Sequence, residues 1–232
     1  LALYFNVFDD YPMIVAANRD EHYDRASAPA ARIGQNPVIV AGKDLLAGGT
    51  WLGVNEHGLL VGILNRRVTQ EPVNKSGFRS RGLLCLDLLS LESAARAAAS
   101  LRREKASYQP FTLVLADTTE AWTAANFEQG AQIARLDRGL HVFSNTGTHD
   151  ERSEKSSRAY VLFNDVSAGK SASKRTPAGG WLAPLAKILG DHTAGGNSAD
   201  PRDAICVHGE ISGTVSSTVL LYSGAEKQFV MF

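Results

Sequence analysis

The sequence predicts an α+β fold in which antiparallel sheets are covered by helices. Three observations lead there. Short apolar runs rich in β-branched and aromatic residues cluster at both ends of the chain. Helix-patterned stretches group between them, and the connections are turns rather than long crossovers. The 232 residues are 44% hydrophobic and 21% charged, enough for a sizeable core in one large domain, 1–232. No repeat or linker divides them.

At the start, "LALYFNVF" reads as a strand, "DDYP" as turn chemistry and "MIVAAN" as a second strand, together a hairpin. The polar residues Asn18, Arg19, Asp20 and Glu21 end that second strand, where it is expected to pass into a loop. "RASAPAARIGQN" is rich in Ala, Pro and Gly and also reads as loop. "VIVAGKD", "GGTWLGVNEHG" and "LLVGILN" predict three short strands, with "NEHG" a hairpin turn closed by glycine. From Ser80, "RGLLCLDLLSLESAARAAASLRRE" has apolar residues at spacings of three and four and a basic end. It predicts one helix with Leu84, Leu88, Leu91 and Ala95 on a shared face.

"FTLVLAD", "TTE" and "AWTAANFE" predict another hairpin, and "GAQIARLDRGLHVFSN" two further strands. "HDERSEKSSRAYVLFNDV" predicts a helix with Asp150 and Glu151 near its start. Ser167 to Gly180 reads as a mobile polar surface loop whose position and composition allow a lid, and "WLAPLAKILGD" as a short helix. "DAICVHGE", "SSTVLLYS" and "KQFVMF" close the chain as strands.

Lys plus Arg equals Asp plus Glu at 24 each, so charge makes no case for a nucleic-acid partner or an acidic membrane surface. No apolar run approaches the roughly 18 residues that would cross a bilayer. The first residues lack the basic region and cleavage site of a signal peptide. Cys85 and Cys206 lie far apart in unlike contexts, which predicts two buried thiols in a cytoplasmic protein, with neither a disulfide framework nor a zinc site.

The histidines at 22, 57, 141, 149, 192 and 208 show no HExxH or paired ligand spacing, so no metal is expected. "AGGTWLG" lacks the Lys-Ser/Thr pair of a phosphate loop and the context of a dinucleotide site. It predicts a tight turn with Trp51 docked in the core. "GTVSST" is not a GxSxG nucleophile elbow, and no cofactor is expected.

Polar residues that close apolar strands carry more chemistry. Besides Asn18 to Glu21, Asn65 follows "LLVGIL" and Asn145 follows "LHVF". Taken singly, each reads as a cap or turn. Gathered at one sheet edge, Arg19 and Asp20 would offer an ion pair, and the asparagines NH2 donors for an oxyanion. The set lacks a nucleophile.

"VAANRDE" at 15 to 21 resembles the "LAANRDE" signature of the NRDE family, relatives of transport and Golgi organization protein 2. "AGKDLLAGGTWLGVNEHGLLVGILN" resembles the family's AGRD, GGTWLG and LTN block. "SRG" at 80 to 82, "FSN" at 143 to 145 and "GTVSSTVLL" at 213 to 221 resemble its SRG, LSN and GTRSSTVLL segments. The likeness runs through nearly the whole chain in order.

It implies an N-terminal-nucleophile (Ntn) hydrolase-like fold, two antiparallel sheets stacked between helix layers in an αββα arrangement. It further implies an N-terminal Cys thiolate that attacks a linear amide or acyl compound, with its own α-amine as base. Family members begin Met-Cys, so the resemblance puts that Cys just before Leu1. Arg19 and Asp20 would hold the thiol and amine, Asn65 would donate to the oxyanion, and Asn145 would position amine or substrate. Asn18 and Glu21 would brace the loop and, with His22 and Trp51, border the substrate.

His22 stands where the family usually has an aromatic, and Val215 where many members have Arg. The alternative reading is a non-catalytic protein that binds or carries a small molecule such as haem, acyl-CoA or another lipid. His22 and Tyr23 are then the candidate axial ligands.

Overall fold

The computed structural model of the chain describes residues 1–66, 77–127, 130–145, 147–148, 154–169, 176–194 and 200–232. Its strands begin with β1 (Ala2–Phe5), β2 (Met13–His22), β3 (Ser27–Arg32), β4 (Ile39–Asp44), β5 (Leu52–Asn55) and β6 (Leu60–Asn65). They continue with β7 (Phe111–Ala116), β8 (Ala121–Phe127), β9 (Gly130–Leu136), β10 (Gly139–Ser144), β11 (Gly147–Thr148), β12 (Ser212–Ser223) and β13 (Gln228–Met231). The helices are α1 (Arg81–Leu89), α2 (Ala94–Leu101), α3 (Glu154–Ala168) and α4 (Gly179–Leu189). Every strand pairing among the described residues is antiparallel, as the turn-like connections predict.

Two compact units result: Leu1–Asp24 together with Arg138–Phe232, and Arg25–Asp137. The first holds a six-stranded sheet in the order β11-β10-β1-β2-β12-β13. Strand alternation sends Tyr4, Ile14, Ala16, Val219 and Leu221 to the face that packs on α3 and α4. Its centre is aromatic: Phe8 meets Trp181 edge-on with ring centroids 4.6 Å apart, and Tyr4 lies 5.9 Å from Phe8. The Tyr4 hydroxyl donates to the Phe163 carbonyl at 2.5 Å, so its polar end is satisfied inside the core.

The second unit is a seven-stranded meander, β3 to β9 in sequence order. Helices α1 and α2 lay Leu84, Leu88, Ala94 and Ala97 over Leu59, Val61, Leu113 and Leu115. Here the long helix expected from Ser80 is two helices. Ser90 ends α1, and Ser93 starts α2 by accepting from the Arg96 N–H at 3.3 Å. The break turns the apolar face, so Ala95 is exposed while Ala94, Ala97 and Ala98 are buried.

Three further differences have local causes. The "RASAPAARIGQN" segment contains an edge strand, β3, with a register shift between Ala28 and Ala31 around Pro29, the place where a sheet tolerates proline. "DAICVHGE" forms only an isolated bridge, His208 to Gly213, after a 3-10 turn at Pro201–Asp203. And β2 does not end at Asn18; it runs four residues further. Asp150, Glu151 and much of the Ser167–Gly180 loop (170–175) lie outside the described residues.

Candidate functional site

The NRDE residues stay extended because β12 supplies polar partners opposite them. Asn18 pairs in register with Ser217, Arg19 with Ser216 and Asp20 with Thr214, with a register shift at Val215 between them. The Thr214 hydroxyl donates to Asp20 Oδ1 at 2.6 Å, and the Ser217 hydroxyl to Asn18 Oδ1 at 2.7 Å. What reads locally as loop polarity is therefore a polar ladder between two strands.

Neighbouring residues on a strand face opposite ways, and this separates Arg19 from Asp20. Arg19 is buried, with Nη2 3.8 Å from Glu21 Oε2 two residues on. Asp20 Oδ2 lies 3.7 Å from Lys155 Nζ on α3. The expected Arg19–Asp20 ion pair is thus replaced by two separate pairs. Asn18 points its Nδ2 at the carbonyls of Leu189 at 2.8 Å and Ile205 at 3.0 Å. Each of its hydrogen-bonding atoms is committed to the protein itself. His22 is exposed at the strand's end, its backbone N–H held by Glu21 Oε1 at 3.0 Å.

The chain's first residue sits in the same unit. Leu1 exchanges both backbone hydrogen bonds with Phe143 of β10, N to O at 2.9 Å and O from N at 2.8 Å. Its nitrogen is enclosed. Asn145 follows β10 two residues beyond Phe143, half-buried. Between them the buried Ser144 hydroxyl hydrogen-bonds that of Ser156 at 2.9 Å.

Asn65 and Trp51 belong to the other unit. Asn65 is exposed at the end of β6, opposite Phe111 of β7. Trp51 is half-buried, its six-membered ring filling the space a side chain at Gly42 would need: a Cβ there would lie 2.5 Å from Cη2. The expected docking of Trp51 in the core is thus not met: the ring lies half-buried against Gly42 of β4 instead. Lys155, Thr214 and Ser217 escaped the sequence reading because each reaches the NRDE segment from more than 130 residues away.

The two cysteines differ more than expected: Cys85 is fully buried in the α1 core, whereas Cys206 is only half-buried. Burial pushes the Cys85 thiol far up, which leaves it inert.

The fold is that of Ntn-hydrolase-type acylases and amidases. Penicillin V acylase from Agrobacterium tumefaciens superposes with a TM-score of 0.64 at 14% identity, covering 100% of this chain and 86% of the acylase. An N-acylethanolamine-hydrolyzing acid amidase orthologue of Caenorhabditis elegans gives 0.63 at 12% identity, with 100% and 98% covered. The family follows from sequence: residues 1–231 match the Transport and Golgi organisation 2 model, and the chain belongs to that family, for which NRDE is another name.

The mouse homologue of transport and Golgi organization 2 is 34% identical over 111 residues, which is 46% of this chain and 39% of the mouse protein. The human homologue is 34% identical over 115 residues, 48% of this chain and 41% of the human one. The alignments thus span about two fifths of those relatives' own length. Among the described residues no helix is long and apolar enough to cross a membrane.

Proposed function

We propose that this chain, with residues 1–232 as one catalytic domain, is an N-terminal-nucleophile cysteine amidohydrolase acting on a linear amide or related acyl compound. The nucleophile in this reading is a Cys directly before Leu1. The observation that carries it is the pairing of Leu1 with Phe143 of β10 through both backbone hydrogen bonds, which continues the register of β1 back past Leu1. Extending β1 in register past Leu1 would put the residue before Leu1 between Asn18 of β2 and Ser144 of β10, since Ala2 faces Ala16 and Val142.

An α-amine has an ordinary pKa of about 8, so a neutral fraction that can accept a proton is present near neutral pH. The chemistry then balances as follows. The α-amine takes the thiol proton, sulfur bonds to the amide carbon, and the amine returns that proton to the departing nitrogen as the C–N bond breaks. Water then cleaves the thioester, releasing the acid and restoring the thiol. Arg19 and Asp20 position the terminus in this scheme, and Asn145 supplies an amide donor. Asn18 and Glu21 brace the strand; His22 borders the substrate.

The test is the intact mass of the full natural protein with and without iodoacetamide, followed by sequencing of its N-terminal peptide. The expected result is a mature chain that opens with Cys before Leu1, alkylated much faster than Cys85 or Cys206, and hydrolysis of members of a linear-amide panel. A mature chain that lacks this Cys and labels only at Cys85 or Cys206 overturns the proposal. Non-catalytic binding of haem, acyl-CoA or another lipid then becomes the reading to pursue.

A further inference from the structure

His192, Cys206 and His208 come from two separate stretches of the chain, yet their ligand atoms all lie within 4.8 Å of one another. Cys206 Sγ is 3.8 Å from His208 Nε2, and the rings of His192 and His208 are 4.8 Å apart at their centroids. A tetrahedral zinc ion with ordinary Zn–N and Zn–S bonds holds its ligand atoms about 3.3–3.6 Å apart. The Cys206–His208 pair is already close to that spacing, and no pair exceeds it by more than about 1.5 Å.

The backbone is fixed in advance. His192 follows α4, while Cys206 and His208 lie on the segment leading into β12. Asn18 Nδ2 bridges the two stretches through the carbonyls of Leu189 and Ile205. The Cys206 N–H donates to the Asp191 carbonyl at 2.8 Å, tying Cys206 to the residue before His192. Val207 is locked on both sides by Thr214, its N–H donating to the Thr214 hydroxyl at 2.9 Å and its carbonyl accepting from the Thr214 N–H at 2.8 Å. Arg158 holds the Asp191 carboxylate. Every tie spares the three candidate ligand atoms.

We propose that His192, Cys206 and His208 form a binding site for a borderline-soft transition-metal ion, with Zn2+ as the expected occupant. Two imidazoles and a thiolate suit such ions and not Mg2+ or Ca2+, which take oxygen ligands. Three protein ligands with both histidines exposed leave a fourth position open to water, unlike a closed structural site. Binding releases the Cys206 thiol proton to solvent. This site goes beyond the hydrolase proposal and does not depend on it.

The test is Zn2+ titration of untagged, chelator-treated full-length protein against a chromogenic chelator, with Co2+ as a spectroscopic probe. One Zn2+ should bind per chain, and bound Co2+ should show a thiolate-to-metal charge-transfer band together with tetrahedral visible bands. Cys206→Ser and His208→Ala should each weaken Zn2+ binding by ~100-fold or more, and His57→Ala should leave it unchanged. Zinc should also protect Cys206 from iodoacetamide. Melting curves of the metal-free variants establish that they fold; if one does not, Cys206 protection in the unmodified protein decides. Absence of stoichiometric binding, absence of the charge-transfer band, or binding that survives both ligand substitutions overturns the proposal.

Discussion

Asn18 holds Leu189 through a 2.8 Å hydrogen bond from its side-chain amide to the Leu189 carbonyl, and the same nitrogen reaches the carbonyl of Ile205 at 3.0 Å. One asparagine on β2 thereby joins the end of α4 to the segment before β12. Asn18→Ala strands two carbonyls and the Ser217 hydroxyl, and should cost about 2–3 kcal/mol. That corresponds to a fall in Tm of roughly 5–10 °C for a chain of this size. Asn18→Asp should cost a comparable amount, because a carboxylate cannot donate to either carbonyl. A Tm within a degree of the parent for both variants would mean that the bridge contributes nothing.

The glycine pair of "GGTW" allows a sharper comparison. A Cβ on Gly49 would lie 2.3 Å from the Gly82 carbonyl carbon and 2.6 Å from its Cα, and Thr50 N–H donates to the Gly82 carbonyl at 3.1 Å. The start of α1 is thus pressed backbone to backbone against this turn. Gly48 instead has φ +76° and open space around it. Gly49→Ala must push rigid backbone aside and should cost about 3 kcal/mol. Gly48→Ala pays only left-handed strain, about 1 kcal/mol. Urea midpoints measure the difference, and equal midpoints would contradict the close approach.

How much of this was visible in the sequence depended on range. The meander β4 to β8 was legible because each strand's apolar run and bounding turn sit together, as "LLVGILN" and "FTLVLAD" show. The extension of β2 was not, because Asn18 to His22 look like loop until Thr214 and Ser217 are set opposite them. The break between α1 and α2 had a local sign in Ser93, a good N-cap residue inside an otherwise helical pattern. The His192–Cys206–His208 cluster left one trace, the close C-x-H spacing at 206 to 208; the third member joins through long-range ties, the Asn18 bridge and the Cys206 N–H to the Asp191 carbonyl. The NRDE residues were found by resemblance, and their partners by geometry.

Asp117 gives a pH prediction. It accepts from the Ala94 N–H at 2.8 Å, capping α2 from the end of β7, and from Thr119 and the Glu120 N–H. Burial pushes its carboxyl up, but the Thr119 side chain and the three backbone donors outweigh this and hold its pKa below the usual range. A depressed folded value stabilises the protein above the unfolded pKa of about 3.9 and loses that contribution as pH falls through the folded one. Asp117→Ala should therefore cost about 2 kcal/mol at neutral pH. The gap to the parent should narrow below about pH 4. Denaturant unfolding of both proteins across that range measures it, and a gap independent of pH would exclude the carboxylate as the source.

Lys155 and Asp20, 3.7 Å apart, bring opposite charges to the start of the first strand, which makes their roles separable. In the proposed scheme the α-amine of the residue before Leu1 lies in the field of both, so the Lys155 ammonium lowers its pKa and the Asp20 carboxylate raises it. Lys155→Gln removes the positive neighbour, so the amine's pKa should rise. Asp20→Asn removes the negative one, so it should fall. If the α-amine of the mature protein serves as base, its neutral form is the active one and the acid limb of kcat/KM follows its pKa. That limb should move to higher pH in Lys155→Gln and to lower pH in Asp20→Asn. An NMR titration of the α-amine nitrogen reports the same two shifts without requiring turnover. Shifts of the same sign in both variants, or none in either, would mean that the Lys155–Asp20 pair holds the strand and does not tune the terminus.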